Sequence, residues 1–242
     1  MLDRAQTETL GFVLVFAIIT ASIGLVYASG FTGLNHVREF ETVNNAERAF
    51  EVFADNMEDI THRNAPSRST EVKLAGAQLT IADPIQIEVN DPDAGFNVTY
   101  DVRPVIYDPG VRTGSEIVYA EGAVIRSQRD GGVVVSEGTL LLGRNRTVIP
   151  IVQTRLDGQG SVGGSTTVLI RATLAQTRLV YVNDTPSNQV WFNVTSPRAA
   201  IWRDHLTSAY GATCSMSGNT TSCYVTTDHV AVTQYQIDLG LE

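Results

Sequence analysis

Lysine is almost absent from this chain. Lys73 is the only one, and the remaining basic residues are arginine, giving 17 basic against 26 acidic side chains. The formal net charge of −9 argues against a nucleic-acid binder, which would carry a basic patch or a high pI. Cysteine is nearly as scarce: two in 242 residues cannot staple a small disulfide scaffold, although they can form one bridge. Catalytic signatures are missing too. There is no G-x-S-x-G elbow, no H-E-x-x-H, no P-loop and no G-x-G-x-x-G opening a helix. The histidines are His36, His62, His205 and His229, at positions that suit interfacial, capping or surface roles. The expectation is a protein that is not an enzyme and holds no cofactor or metal. Disorder is excluded by 43% hydrophobic and 18% charged residues. An acidic, lysine-poor composition fits adaptation to high salt, where hydrated carboxylates keep a surface soluble; a GC-rich genome favours arginine in the same way.

Charge is also missing from a long stretch near the start. Residues 9–37 carry no charged side chain, and Leu10–Ala28 (LGFVLVFAIITASIGLVYA) is almost wholly apolar. Nineteen helical residues rise roughly 29 Å, one bilayer core. The hydroxyls of Thr20 and Ser22 can bond back to helix carbonyls, so they do not interrupt the segment. A secretory signal could be cut after Val26-Tyr27-Ala28, but its apolar region should be shorter and its start clearly positive. Met1-Leu2-Asp3-Arg4 has no net side-chain charge. An uncleaved anchor is the second reading.

The third rests on Asp3-Arg4-Ala5-Gln6-Thr7-Glu8-Thr9, directly before the apolar run. A basic residue, a small residue and then Gln resemble the prepilin-peptidase signal of archaeal type IV pilins and archaellins. That resemblance implies cleavage between Ala5 and Gln6 by a prepilin peptidase, with the apolar helix kept on the mature chain. One departure stands out. The acidic residue of bacterial type IV pilins is the fifth of the mature chain, whereas Glu8 would be the third. A carboxylate at a helix N-terminus, favoured by the macrodipole, accounts for Glu8 equally well. Gly11 and Gly24 are candidate assembly positions, since glycine lets membrane helices approach closely.

Past Gly30 and Gly33, residues 34–60 carry Val43, Ala46, Phe50, Phe53, Met57 and Ile60 at 3-4-3-4-3 spacing, with the acidic residues off that seam. The spacing predicts an amphipathic helix with one apolar stripe. It should end before Asn64-Ala65-Pro66. The stripe packs either on the chain's own β domain or on partner helices.

From Ser67 onward the period becomes two. Ile85, Ile87 and Val89 alternate, as do Phe96, Val98, Tyr100 and Val102, and later Tyr235, Ile237 and Leu239. Runs at 132–135, 140–142, 148–152, 166–170 and 179–182 read as further short strands. Asp83-Pro84, Asp108-Pro109-Gly110, Asp130-Gly131-Gly132, Asp157-Gly158, Gly163-Gly164 and Asn183-Asp184 punctuate them as turns. This pattern predicts one antiparallel, sandwich-like β domain. A short helix over 198–206 interrupts it, with Ser196 as N-cap and Pro197 at the first helical position. Asp91-x-Asp93-x-Gly95 could place carboxylates on Ca²⁺, but it lacks the rest of an EF-hand loop and reads as a turn.

Two features point outside the cytoplasm. Asn97, Asn145, Asn183, Asn193 and Asn219 head Asn-x-Thr sequons, with Asn193 placed inside a strand. Cys214 and Cys223 flank a small polar loop, where a disulfide would form in an oxidising compartment. Free thiols are the alternative; a metal site would need further ligands, and only His205 and His229 are near in sequence.

The resemblance then extends to the whole chain. Besides 4–12 (RAQTETLGF), the tract 193–203 (NVTSPRAAIWR) and the two cysteines after it are similar to a haloarchaeal group of type IV pilin-like envelope proteins of unassigned function. The resemblance implies an α+β protein: a leader over 1–5, a transmembrane plus amphipathic helix over 6–64, and an extracellular β head over 65–242. It implies a location in the cell membrane or in a surface filament, with the membrane, the prepilin peptidase and other pilin-like subunits as partners and no nucleic acid. Two functions follow: a structural or minor subunit of an archaeal surface filament, or an anchored, non-assembling protein of adhesion or envelope structure.

Overall fold

The computed structural model describes residues 2–110, 114–129 and 131–242, with the backbone alone described for 2–9 and 29–39. The elements in chain order are α1 (Leu2–His62), β1 (Ser67–Lys73), β2 (Gln78–Ile81), β3 (Ile85–Asp91), β4 (Phe96–Val102), β5 (Val105–Asp108), β6 (Ser115–Ala120), β7 (Ala123–Gln128) and β8 (Gly131–Ser136). They continue with β9 (Thr147–Leu156), β10 (Ser161–Gly163), β11 (Thr167–Asn183), β12 (Asn188–Thr195), α2 (Ala199–Tyr210), β13 (Thr213–Ser217), β14 (Thr220–Thr227) and β15 (Val230–Leu241). The α+β class read from the sequence is the one observed. Two compact units divide inside α1, Met1–Thr42 and Val43–Glu242.

In the first unit, Leu10–Ala28 is long and apolar enough to cross a membrane and none of it is buried. Thr20 Oγ1 donates to the Phe16 carbonyl at 2.9 Å and Ser22 Oγ to that of Ile18 at 2.8 Å, the back-bonding that lets hydroxyls sit in an apolar helix.

In the second unit the apolar stripe is the reason the last turns of α1 belong to the β domain. Val43, Ala46, Phe50, Phe53, Met57 and Ile60 are each at most 3% exposed. Phe53 meets Tyr119 edge-on at 4.8 Å, and Phe50 meets Tyr107 at 6.5 Å. The stripe is thus spent on the chain's own core, which decides between the two packings its spacing allows. Truncating such a phenylalanine to alanine typically costs about 3–5 kcal/mol.

The strands form three sheets: four strands in the order β1-β11-β15-β9, six in the order β10-β2-β5-β6-β7-β8, and five in the order β13-β14-β12-β3-β4. Among the pairings of the described residues only β15 with β9 is parallel. One core lies between the α1 stripe, the four-stranded sheet (Val168, Ile170, Ile237, Leu239) and the six-stranded sheet (Tyr107, Ile117, Tyr119). A second joins the inner face of the five-stranded sheet (Ile87, Val89, Phe192, Val194), Ile149, Ile151, Val232 and the α2 residues Trp202 and Leu206. The six-stranded sheet feeds both, because successive β6 residues point to opposite faces: Tyr119 enters the first core and Val118 the second.

Three local expectations are corrected. The runs at 166–170 and 179–182 are one strand, β11, whose polar middle hides the continuity and whose register with β15 shifts at Leu174/Gln176 and Leu179/Tyr181. The run at 140–142 is no strand; it contributes one bridge, Leu141 to Val148. Helix α2 starts at Ala199, not at Pro197, because Arg198 leaves helical geometry at φ −106° and ψ 24°, and the Ala199 N–H donates to the Ser196 carbonyl at 3.1 Å, closing a turn there. It runs on to Tyr210, where Gly211 at φ +65° closes it. Asp130 of the expected turn at 130–132 lies outside the described residues, and Gly131 and Gly132 belong to β8.

Candidate functional site

The exposed apolar helix is the first candidate. Leu10, Phe12, Phe16 and Tyr27 are 62–71% exposed, and an apolar surface of this length needs lipid or protein around it. Gly11 and Gly24 meet nothing within 4 Å where a Cβ would be placed. Thirteen residues of helix turn them roughly 220° apart, so they lie on different faces and do not form one contact. A feature the sequence reading missed is visible in the spacing. Ala17, Ala21, Gly24 and Ala28 follow one another by 4, 3 and 4 residues, a small-residue line of the kind that lets helices pack closely. Arg4, Ala5, Gln6 and Glu8 fall in α1, but their side chains lie outside the described residues, as does that of His36.

The cysteines are joined. Cys214 and Cys223 form a disulfide with their Cα atoms 4.1 Å apart, directly opposite in the β13–β14 hairpin. The hairpin closes through Gly218 and Asn219, with Gly218 at φ +56°, the left-handed conformation a two-residue turn with glycine first demands.

The five sequons separate by environment. Asn97, Asn145 and Asn219 are exposed. Asn183 is engaged instead: its amide donates to Asp91 Oδ2 at 3.0 Å, and its Oδ1 accepts from the Thr185 N–H and hydroxyl. Asn193 lies within β12 and donates to Glu88 Oε2 at 2.9 Å.

Asp91, half of the possible calcium pattern, is fully buried at the end of β3. It accepts from Tyr181 Oη at 2.7 Å, from Asn183, from Asn188 and from the Ala94 N–H. Burial pushes this carboxyl up, but these hydrogen bonds outweigh it and hold it below its ordinary value. Its oxygens are used in a knot that ties the β3–β4 turn to the β11–β12 connection, while Asp93 is exposed in the turn. Among the described residues no three or more His, Cys, Asp or Glu side chains are arranged to hold a metal.

The three histidines with described side chains are engaged locally. His62 Nδ1 shares a hydrogen bond with Thr61 Oγ1 at 2.8 Å, His229 pairs with Asp184, and His205 meets the Tyr210 ring edge-on at 5.5 Å. Asp204 pairs with Arg203 at 2.6 Å. One ionisable group stands out. Glu121 sits in the tight turn between β6 and β7 and is 8% exposed. Its Oε1 accepts from the Val152 N–H at 3.3 Å, and its Oε2 has no partner. Burial pushes its carboxyl up to about 8, with the Val152 bond opposing.

No curated protein matches the sequence significantly. A family model does, over residues 4–240, a span that takes in both the apolar helix and the β strands through most of β15. Its description is a family of unknown function, DUF7289, and the chain belongs to that family.

Proposed function

We propose that this is a type IV pilin-like surface protein of a haloarchaeal envelope, cut between Ala5 and Gln6 and serving as a structural or minor subunit of a surface filament. The observation that carries the reading is Leu10–Ala28. It is apolar on every side and uncovered by the chain itself, and Arg4-Ala5-Gln6 stands immediately before it. A leader cut there leaves a mature chain that begins with its hydrophobic helix, the part a filament core requires. The lysine-poor, acidic composition supports a high-salt setting. The disulfide supports export of the β domain, as do three exposed sequon asparagines.

A second reading keeps the same signal and anchor without assembly. It is favoured by the amphipathic stripe, whose burial in the chain's own core leaves that face no role against a partner helix. Surface filaments sheared from cells and the remaining membranes, probed for this chain, separate the two. Recovery in the filament fraction supports the subunit; confinement to the membrane fraction supports the anchored protein.

A further inference from the structure

The outer face of the five-stranded sheet differs from the rest of the surface. The register sets Asn97, Asn90, Trp191, Tyr224 and Thr213 side by side across all five strands. The neighbouring rows are built from serine, threonine, asparagine and glutamine, with Glu88 and Asp101 as the two charges and no lysine or arginine. The solvent face of an antiparallel sheet ordinarily carries charge of both signs. Here Trp191 and Tyr224 stand half-buried at its middle and packed on each other, with ring centroids 4.8 Å apart and planes 40° from each other. Beside them the Asn193 amide is held by Glu88 at 2.9 Å, and the hydroxyls of Thr195 and Thr220 are 2.9 Å apart. The platform is therefore flanked by fixed polar groups.

We infer that this face binds a neutral carbohydrate chain. A sugar ring presents a C–H face that packs on the electron-rich faces of Trp191 and Tyr224. Its equatorial hydroxyls donate and accept at the edges, where the sheet offers hydroxyl and amide groups able to do both. The charge pattern selects the class. With two carboxylates and no cation on the face, anionic polysaccharides, phosphate and nucleic acid find no counter-charge to pair with, whereas an uncharged polyhydroxyl chain needs none. The five-stranded breadth, at about 4.8 Å per strand, offers room for several sugar units in a row. The inference stands whether or not the chain assembles into filaments.

The test uses the full chain made in a host without N-glycosylation, so that Asn97 carries no sugar, in a detergent without a sugar head group. Maltohexaose, cellohexaose and mannohexaose are titrated, with polygalacturonate as the anionic control. Tryptophan fluorescence reports binding, because Trp202, the other tryptophan, is buried at 3% exposure and Trp191 is not. At least one neutral hexasaccharide should shift the emission saturably and polygalacturonate should not. Trp191→Ala and Tyr224→Ala should weaken binding about tenfold or more, the loss of one stacking contact, the former being read by calorimetry. Trp191→Tyr should retain most of the affinity, and unchanged melting temperatures would show that the variants fold. Failure of all three hexasaccharides to bind, or equal affinity in the alanine variants, overturns the inference. So does a dimer of the wild type that Trp191→Ala dissolves, which would assign the face to a second copy of the chain.

Discussion

Replacing Glu121 with glutamine should leave stability at pH 5 within about 1 kcal/mol of the wild type and raise it clearly at pH 9. The unfolded chain releases this proton near the ordinary value of 4.5, the folded chain near 8. Below 4.5 both states hold the proton and Glu121 adds no pH dependence. Between the two values the folded state keeps a proton the unfolded state has lost, so stability falls as pH rises, by about 1.4 kcal/mol per pH unit. Above about 8 the fall is complete and amounts to roughly 4–5 kcal/mol. Glutamine cannot ionise, keeps an oxygen to accept from Val152, and inherits the same backbone at φ +49°, so it escapes the fall without new strain. Urea denaturation of both proteins at pH 5, 7 and 9, followed by tryptophan fluorescence, isolates the term, because the other carboxyl groups cancel in the difference. A wild-type-to-variant difference that stays flat from pH 5 to 9 would refute the reasoning, as would a variant less stable than wild type at pH 9.

Removing the cross-link with Cys214→Ser and Cys223→Ser should cost about 2–3 kcal/mol for so short a loop. In a domain of this size that is a melting temperature lower by roughly 5–10 °C. Calorimetry checks it, and non-reducing peptide mapping should find the two peptides linked. Glycopeptide analysis of native protein should find sugar among Asn97, Asn145 and Asn219, and none on Asn183 or Asn193, whose amides are held by Asp91 and Glu88. Gly11→Leu should leave membrane anchoring and the β domain intact, since the added side chain meets open space within the chain. It should lower recovery in sheared filaments if helices pack together there; unchanged recovery would remove Gly11 from the assembly contact.

Much of the architecture was legible because it depends on local periodicity. The 3-4 spacing from Val43 to Ile60 located a buried stripe, and alternation at Ile85–Asp91 and Phe96–Val102 located two strands. The sequence could not say which surface covered the stripe, since Tyr107 and Tyr119 come from strands far along the chain. The unity of β11 was hidden because Ala175, Gln176, Thr177 and Arg178 are exposed, so no apolar alternation bridges its two ends. Ser196 and Pro197 carry the signature of a helix start, and Ser196 does accept from the Arg198 N–H, yet Arg198 itself is not helical and the helix begins one residue later. Nothing in the sequence singles out Glu121; its burial depends on packing beside Val152. The Trp191–Tyr224 platform exists only once five strands are set in register.

The N-terminus of the mature protein tests the central proposal most directly. Intact-mass measurement and N-terminal sequencing of protein purified from native membranes should find a chain that begins at Gln6. A chain that begins at Met1, or at Ser29 after secretory cleavage, would contradict the pilin-like reading.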